Sequence, residues 1–431
     1  MYIHIHTLHI YGSFVFARSL SLADTFPVLT RLVPPISMRR VGVFGLTIFA
    51  QACLASRVAR IESSRSIWKS FEHNPGLPIY DIFVSPVLLL TANNSILSIV
   101  AGRKCDKGPQ GCQDDVGRHD ILVKRSDDGG KSFGNAVLVH SETVGNRTVV
   151  IGNPAAVLDE TTGRITLLFC RNNTFVLLTY SDTNGATWAP PTDITASVKH
   201  HTWGWYATTF SAIQLKHQDP NNGKNGRLVV CCDHQTNYTF KDDGHGTFSY
   251  SHLLYSDDGG AQWKIGGVSP TRTTNECAVA ELSNGTLVVN SRNYVDQMSH
   301  TTPTHRAISW SNDGGESLSD AYFAKSLPDP ICEGAMTTDK AGNMLVFTHP
   351  NPGPTCRGQC ARDHMSVFSS VDGGVTWQLG ARLESTTSMY SSVIALPNGS
   401  FAAQYDVGTT HLHRCVNKSC HEQFDIFTFE G

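Results

Sequence analysis

Ser126-Asp-Asp-Gly-Gly-Lys-Ser-Phe133 is the stretch of sequence that decides the fold, because variants of it return four more times along the chain. The other copies are Ser181-Asp-Thr-Asn-Gly-Ala-Thr-Trp188, Ser256-Asp-Asp-Gly-Gly-Ala-Gln-Trp263, Ser311-Asn-Asp-Gly-Gly-Glu-Ser-Leu318 and Ser370-Val-Asp-Gly-Gly-Val-Thr-Trp377. We call each copy a box. The starts of the boxes are 55, 75, 55 and 59 residues apart, so one supersecondary unit is reused. In such a turn Ser and Asp bond nearby backbone groups, Gly adopts a positive φ, and the last residue anchors the turn.

Short strand-like runs lie between the boxes, and no long amphipathic helix is indicated after residue 72. The runs are Asp120–Arg125, Arg164–Phe169, Phe175–Tyr180, Arg227–Cys231, Thr286–Asn290 and Asn343–Phe347. Strand-rich units at this period predict the four-stranded blades of a β-propeller. Residues 72–431 make 360 positions, which at roughly 60 per blade gives about six blades. The sequence therefore predicts an all-β six-bladed propeller, in which 216–226 is a surface loop and 424–429 is a strand that helps to close the ring.

The composition describes a globular chain and excludes several classes of partner. The 431 residues are 40% hydrophobic and 16% charged, which is enough for a sizeable core. A formal net charge of −3 indicates neither a nucleic-acid partner nor an anionic membrane surface. The sequence has no Walker loop and no dinucleotide fingerprint, so we predict no cofactor. Cys415, Cys420 and His421 come nearest to the spacing of a zinc site, but disulfides are the better interpretation there, and no metal is predicted.

The first seventy residues differ in character from the rest. Arg39-Arg40 is followed by the apolar run Val41–Ala50 and by small residues up to Ala55, which is the pattern of a secretory signal. Met38 directly precedes this pattern, so the residues before it are interpreted as a doubtful extension. The apolar run is short for a membrane-spanning helix, which favours cleavage over a signal anchor. The predicted segments are the extension at 1–37, the signal peptide or signal anchor at 38–55, an N-terminal segment at 56–71 and the propeller at 72–431.

Sequons and close cysteine pairs agree with passage through the secretory pathway. Seven Asn-x-Ser/Thr sequons occur, at Asn93, Asn146, Asn172, Asn237, Asn284, Asn398 and Asn417. The close cysteine pairs are Cys105/Cys112, Cys356/Cys360 and Cys415/Cys420, and such pairs staple loops in an oxidising compartment. We therefore expect a lysosomal or extracellular protein, with membrane association through an uncleaved anchor as the alternative.

Five segments outside the boxes carry the candidate chemistry. They are Ala101–Arg103 with Asp115–Arg125, Trp203–Thr208, Thr274–Leu282 with Val289–Tyr294, Thr348–Pro354 with Arg362–Val367, and Met389–Asp406. These segments resemble motifs of the exo-α-sialidase (neuraminidase) family, and the box resembles the Asp box of that family. The likeness covers essentially residues 75–410. It lacks the Gly-Pro-Gly that follows Trp-Tyr-Ala-Thr in the family.

The resemblance implies three catalytic residues. Asp115 lies ten residues before Arg125 and falls on the acid/base position, with Asp114 beside it as the alternative if the loop register shifts. The run Asn-Glu-Cys places the partner of the nucleophile on Glu276. The Tyr-Ser-Ser segment places the nucleophile on Tyr390.

The resemblance also implies a set of substrate-binding residues. They are Arg103, Arg292, Arg362, Asp406, Trp205 and Tyr206, with Arg357 as a weaker candidate than Arg362. Arginines would hold the carboxylate of a sialic acid through paired, charge-assisted hydrogen bonds. The aromatic rings would pack against the sugar at the propeller mouth, and packing in the core is an equally good interpretation of them.

The implied activity is hydrolysis of terminal sialic acids from glycoproteins, glycolipids or oligosaccharides. Sialic acid carries a carboxylate on its anomeric carbon, which would repel an anionic Asp or Glu nucleophile. A phenol activated by a neighbouring carboxylate avoids this repulsion, and sialidases are an exception of this kind among glycosidases. The resemblance thus implies a retaining mechanism. Glu276 would take the proton of Tyr390, while Asp115 would protonate the leaving oxygen and then activate water.

One arginine of the family pattern is missing. The family supplies a further carboxylate-binding arginine in a Tyr/Phe-Arg-Ile-Pro motif, but no arginine occurs here between Arg65 and Arg103. An ungapped count back from Arg103 puts Val84 at that position, whereas a match to Tyr-x-Ile puts Asp81 there. Asp406 also stands where the family has Glu. Loss of one charge-assisted bond of roughly 1.5–3 kcal/mol weakens recognition about tenfold to about 150-fold.

Three interpretations of the missing arginine follow. The first is a working sialidase that keeps the acid, the nucleophile, its base and two arginines. The second is a catalytically impaired propeller that binds sialylated glycans as a lectin does. The third is an error in the gene model around residues 81–85.

Overall fold

The computed structural model describes residues 57–105, 117–145, 147–236, 249–294, 304–356, 360–408, 415 and 419–430. Several predictions lie outside the described residues. They are the segments 1–37 and 38–55, the acid candidates Asp114 and Asp115, Arg357, Cys112, and the sequons Asn146, Asn237 and Asn417.

The described chain is built from six four-stranded antiparallel sheets. The described part of the chain starts with β1 (Val58–Lys69) and continues into blade 1. Blade 1 contains β2 (Ile82–Leu90), β3 (Ile96–Lys104), β4 (Arg118–Ser126) and β5 (Val137–His140). A small hairpin of β6 (Thr143–Val144) and β7 (Arg147–Thr148) follows it. Blade 2 contains β8 (Ile151–Leu158), β9 (Ile165–Arg171), β10 (Phe175–Ser181) and β11 (Thr192–Asp193). A single helical turn, α1 (Thr195–Val198), precedes blade 3, and a 3-10 turn at Pro220–Asn222 lies in its predicted surface loop.

The other blades repeat this arrangement. Blade 3 contains β12 (Trp203–Gln214), β13 (Leu228–Thr236), β14 (Ser249–Ser256) and β15 (Lys264–Val268). Blade 4 contains β16 (Thr274–Glu281), β17 (Leu287–Asn293), β18 (His305–Ser311) and β19 (Tyr322–Pro328). Blade 5 contains β20 (Ala335–Thr338), β21 (Leu345–Pro350), β22 (Met365–Ser370) and β23 (Gln378–Arg382). Blade 6 contains β24 (Ser388–Ala395), β25 (Phe401–Val407), β26 (His421–Glu430) and the first strand, β1. The predicted six-bladed propeller is confirmed.

Both ends of the described chain meet in blade 6. Strand β1 pairs antiparallel with β26, from Val58 opposite Glu430 to Lys69 opposite His421. The predicted strand at 424–429 is therefore present, and it lies between β25 and β1. The propeller therefore begins before β1 and not at the expected residue 72. Strand β1 belongs to blade 6, since it covers the outer edge of β26, which would otherwise be unpaired. Most of the segment predicted to precede the propeller is thus its closing strand.

Each box connects the third and fourth strands of a blade. In every box the Ser Oγ accepts a hydrogen bond from the amide of the residue four positions later, at 2.8–3.0 Å. Trp263 and Trp377 donate their indole N–H to a carbonyl of their own box, at 3.0 and 2.9 Å. Blade 6 has no box because its third and fourth strands come from opposite ends of the chain. This connectivity explains why five boxes accompany six blades.

The innermost strands are irregular in a way that positions the site. In five of them the pairing register shifts, which is the mark of a β-bulge. The shifts fall between Val84 and Val87, Gly152 and Ala155, Thr208 and Ala212, Thr274 and Cys277, and Met389 and Ser391. The residues within the last two shifts include Glu276 and Tyr390. A bulge changes the direction of the side chains within it, so Glu276 and Tyr390 do not follow the regular alternation of their strands.

Two predicted loop staples are present, because Cys356 is bonded to Cys360 and Cys415 to Cys420. These pairs confirm the disulfide interpretation over the zinc interpretation at Cys415 and Cys420. Cys105 is also disulfide-bonded. Among the described residues, no helix is long and apolar enough to cross a membrane.

The fifth box generates a prediction about stability. Asp372 accepts hydrogen bonds from the Thr376 amide and hydroxyl, at 2.9 and 2.6 Å, and from the Ser370 hydroxyl. Burial raises the pKa of Asp372, but these bonds outweigh it and hold the pKa below its ordinary value. A lowered carboxylate pKa stabilises the folded state above the unfolded pKa, and this contribution disappears as pH falls. We expect Asp372→Ala to lower the free energy of unfolding by about 1–3 kcal/mol at pH 7 and by less near pH 3.

Urea unfolding of wild type and variant at both pH values measures this difference. Asp320→Ala is the control, because Asp320 is exposed and lies outside the boxes. An equal loss of stability at both pH values would contradict the assigned role of the carboxylate.

Candidate active site

The candidate site lies at the end of the propeller opposite the boxes. In an antiparallel blade the start of the innermost strand and the end of the second strand lie at the same end. Glu276 and Tyr390 lie near the starts of β16 and β24, whereas Arg103, Arg292 and Asp406 lie near the ends of β3, β17 and β25. The boxes follow the third strands and therefore occupy the other end. The propeller thus brings residues that are far apart in sequence to one face.

Glu276 and Arg292 form an ion pair between the first two strands of blade 4. The Arg292 Nη1 donates to Glu276 Oε2, and Nη2 donates to the Tyr294 hydroxyl at 2.5 Å. The side chains of Arg292 and Glu276 are 10% and 15% exposed. Burial opposes the charge on Arg292, but Glu276 outweighs it and raises the pKa of Arg292. The pair is therefore a charged couple that is partly open to solvent.

Tyr390 and Arg362 lie next to this pair. Tyr390 is 7% exposed, and the Arg362 guanidinium carbon is 5.5 Å from the centre of the Tyr390 ring. Arg362 Nη2 donates to the carbonyl of Ile331 at 2.6 Å. Burial and the negative charge of Glu276 raise the pKa of Tyr390, while Arg362 and Arg292 oppose this effect. The phenol is thus neutral at rest, with a carboxylate and two guanidinium groups near it.

Asp406 lies near the end of β25 in blade 6, directly opposite Glu422 in the pairing of β25 with β26. Both side chains are fully buried, and Gln404 donates its Nε2 to Glu422 at 3.1 Å. Burial raises the pKa of Asp406 to about 7, although Glu422, Arg103 and Arg362 oppose the rise. Burial and Asp406 also raise the pKa of Glu422. The two acids therefore hold at least one proton between them at neutral pH.

Val84 occupies a fully buried position in the same apolar cluster as Phe210 and Tyr390. The side chain of Asp81 instead binds the backbone just after β3, where its Oδ2 accepts a hydrogen bond from the amide of Cys105 at 2.8 Å. This placement favours the ungapped alignment, in which Val84 stands where the family has arginine. The structure therefore puts an aliphatic side chain in the apolar cluster that also contains Tyr390.

The two predicted aromatic residues differ in their environment. Tyr206 is fully buried between blades 2 and 3, and its hydroxyl lies 3.1 Å from the Nε2 of His252. Its position favours the core interpretation over contact with a sugar. Trp205 is half-buried on β12. The ring that stacks in this region is Trp203, whose centre lies 3.6 Å from that of His234, and sequence reasoning did not single it out.

Sequence reasoning also missed the residues that hold the bulge of Glu276. Asn275 donates its Nδ2 to Asp233 at 2.6 Å and to Ser249 at 3.0 Å. The quoted Asn-Glu-Cys segment contains Asn275, so a signal for it existed, but Asp233 lies in no quoted motif. In the part of the chain that is described, no three His, Cys, Asp or Glu side chains are arranged to hold a metal ion.

Comparisons with known proteins agree with this geometry. Residues 110–403 match the BNR repeat-like domain. The sialidase of Micromonospora viridifaciens is 28% identical over 370 residues, which are 78% of this chain and 50% of that protein. The sialidase of Bacteroides fragilis is 26% identical over 250 residues, which are 55% of this chain and 40% of that protein. The chain thus spans about half the length of these curated relatives or less.

Solved structures show the same fold. A Hadza microbial sialidase superposes with a TM-score of 0.63 at 20% identity, covering 80% of this chain and 66% of that one. The Trypanosoma rangeli sialidase bound to the inhibitor DANA superposes with a TM-score of 0.63 at 16% identity, covering 85% of this chain and 60% of that one. The box-bearing propeller and the match over residues 110–403 define a protein of the BNR repeat-like class. Within that class, the chain belongs to the sialidase family.

The buried acids of blade 6 generate a prediction about pH. A carboxyl whose folded pKa is raised stabilises the fold below its unfolded pKa, and that contribution is lost as pH rises toward the folded pKa. For Asp406 this window runs from the ordinary aspartate pKa of 3.8 to its folded pKa of about 7. We expect the stability of Asp406→Asn relative to wild type to improve between pH 4 and pH 7.5, on the order of 1–3 kcal/mol.

Chemical denaturation across this range measures the relative stability, with Asp320→Asn as the exposed control. A difference between Asp406→Asn and wild type that does not change with pH would show that Asp406 is ionised throughout.

Proposed function

We propose that the protein is an exo-α-sialidase that removes terminal sialic acids from glycoproteins, glycolipids or oligosaccharides by a retaining mechanism. The observation that carries this proposal is the meeting of Glu276, Arg292, Arg362 and Tyr390 at one end of the propeller. These residues come from three blades, and a purely structural role would not require them to converge. The sialidases that the chain resembles support the substrate class.

In the proposed reaction Tyr390 is the nucleophile. Its Oη attacks the anomeric carbon while its proton passes to Glu276, and the bond to the leaving oxygen breaks. Asp115, which lies outside the described residues, protonates that oxygen and then takes a proton from water in the second step. Water attacks the anomeric carbon, the bond to Tyr390 breaks, and Glu276 returns the proton to the phenolate. Two displacements retain the anomeric configuration.

Arg292 and Arg362 serve the substrate carboxylate in this proposal. Their guanidinium groups flank Tyr390 and already hold a carboxylate and a backbone carbonyl, respectively. Charge-assisted bonds of this kind fix a carboxylate in orientation as well as in position. Their positive charge also lowers the pKa of Tyr390 against the effects of burial and Glu276, which favours transfer of the phenol proton.

A lectin-like protein that binds sialylated glycans without efficient turnover is the second candidate. The buried position of Val84 favours it, because no guanidinium can reach the substrate from that residue. Passage through the secretory pathway to a lysosomal or extracellular destination is part of both proposals, and the two described loop disulfides support it.

The nucleophile is tested by Tyr390→Phe. Removal of the hydroxyl leaves the ring in place but abolishes covalent catalysis, so we expect kcat on a fluorogenic sialoside to fall at least about a thousandfold. Tyr322→Phe is the control, because Tyr322 is exposed on β19. Trapping with a fluorinated sialic acid followed by peptide mass spectrometry should label Tyr390. Full turnover by Tyr390→Phe would rule out this nucleophile.

The missing cation is tested by Val84→Arg. A guanidinium at this position would enter the apolar cluster that contains both Val84 and Tyr390. We expect KM for the sialoside to fall about tenfold or more, since one charge-assisted bond contributes roughly 1.5–3 kcal/mol. Val84→Met is the control for side-chain length without charge. If wild type binds a sialylated glycan array but shows no turnover, and Val84→Arg gains none, the lectin-like function is the correct one.

A further inference from the structure

The inner edges of the propeller blades are capped by side chains from the preceding blade. An innermost strand has a partner on one side only, so the N–H groups on its free edge need other acceptors. Ser392 in blade 6 accepts the amide of Leu88 in blade 1 at 2.8 Å. Ser211 in blade 3 accepts the amide of Val279 in blade 4 at 3.0 Å. In both cases the acceptor is a neutral hydroxyl.

The corresponding cap between blades 5 and 6 is a carboxyl group. Glu333 lies in the connection between β19 and β20, and its Oε2 accepts the amide of Ser391 at 3.4 Å. Ser391 directly follows Tyr390 and ends the register shift of β24. The hydroxyl of Ser391 is tied to blade 5 as well, because it donates to the carbonyl of Thr348 at 2.9 Å. Glu333 therefore braces the bulge that carries the proposed nucleophile.

The surroundings of Glu333 disfavour a charge on it. The side chain is fully buried, and its Oε1 has no hydrogen-bond partner among the described residues. The cation that acts on it is Arg306, but this guanidinium is already bonded to Asn290 and to the carbonyl of Cys332, and it lies 3.6 Å from Asp329. A buried carboxylate without its own cation costs several kcal/mol, so the group keeps its proton instead.

Most of the ionisable groups around Glu333 raise its pKa. Burial raises the pKa of Glu333 well above its ordinary value and Glu276 and Asp406 raise it further, whereas Arg306 and the hydrogen bond from the Ser391 amide oppose the rise. The ionisable groups that interact with Glu333 are Glu276 on β16, Arg306 on β18, Asp406 on β25, Cys332 beside it in the chain and Cys231 on β13.

We propose that Glu333 is a positioning residue that acts in its neutral form, bracing the bulge of Tyr390 and leaving Glu276 as the carboxylate that serves the nucleophile. This inference rests on the proposed role of Tyr390. An ionised Glu333 would add negative charge beside Glu276, which would disfavour formation of a phenolate at Tyr390. It would also repel the carboxylate of the substrate. Activity should then decline as Glu333 loses its proton.

Glu333→Gln tests the neutral form, because glutamine keeps the shape and an acceptor for Ser391 but does not ionise. We expect its kcat to stay within about threefold of wild type at pH 5. The ratio of its kcat to that of wild type should then rise with pH, approaching about tenfold per pH unit above the ionisation of Glu333. Glu333→Asp withdraws the carboxyl from Ser391 by one methylene, so we expect a lower kcat with little change in KM.

Glu281→Gln is the matched control. Glu281 is also buried and also caps backbone amides, those of Lys216 and His217 at 2.6 and 3.1 Å, but it lies at the box end of blade 4. We expect this variant to lose stability without any change in the pH dependence of kcat. Parallel pH–rate profiles for Glu333→Gln and wild type would overturn the proposal.

Thermal unfolding separates this inference from the proposed function. A neutral buried Glu333 makes wild type lose stability as pH rises above the ordinary glutamate pKa, whereas Glu333→Gln lacks this loss. We therefore expect the Tm of Glu333→Gln to rise relative to that of wild type between pH 4.5 and pH 8. A Tm difference that is independent of pH overturns the inference even if the enzyme is active. Absence of turnover in wild type, with the Tm trend present, overturns the proposed function alone.

Discussion

The antiparallel pairing of β1 with β26 is the constraint on which the rest of the structure depends. It joins Val58 to Glu430 and closes the ring of six sheets. Closing so long a loop costs little more conformational entropy than closing a shorter one. The entropic cost of closure grows only with the logarithm of the loop length. Without closure, the sheet of blade 6 would expose the long edge of β26, and the inner strands of blades 4, 5 and 6 would not be held around a common axis. The candidate site exists only in the closed ring.

Closure places the innermost strands at the centre with one unpaired edge each. That edge is a liability in most sheets, and here it is managed by bulges and by acceptors from the neighbouring blade. The same devices produce the site. The bulge that interrupts the ladder at Glu276 or Tyr390 also turns that residue away from the regular pattern. The same few positions therefore meet both structural and chemical requirements. Ser391 and Asn275 are not proposed catalytic residues, but their hydrogen bonds fix the bulges that carry Tyr390 and Glu276.

The boxes and the sequence motifs predicted much of this correctly, and the failures have physical causes. The box is a local structure, held by bonds within eight residues, so the sequence shows it directly. The role of β1 could not be read in the same way, because its partner lies at the other end of the chain. Tyr206 matched a motif, but burial is set by packing between blades and not by the motif itself. Glu333 lies in no motif that we recognised, and its meaning depends on a contact with Ser391 from another blade.

The charges around the proposed nucleophile relate the missing arginine to the raised pKa values of the buried acids. The site lacks one guanidinium of the family pattern, and it contains several buried acids. Asp406, Glu422 and Glu333 are all fully buried, and burial raises the pKa of each. Bound protons therefore neutralise these acids in place of a further cation. A bound proton is released as pH rises, whereas a guanidinium keeps its charge. Loss of the arginine thus weakens the grip on a substrate carboxylate and also makes the remaining positive potential depend on pH.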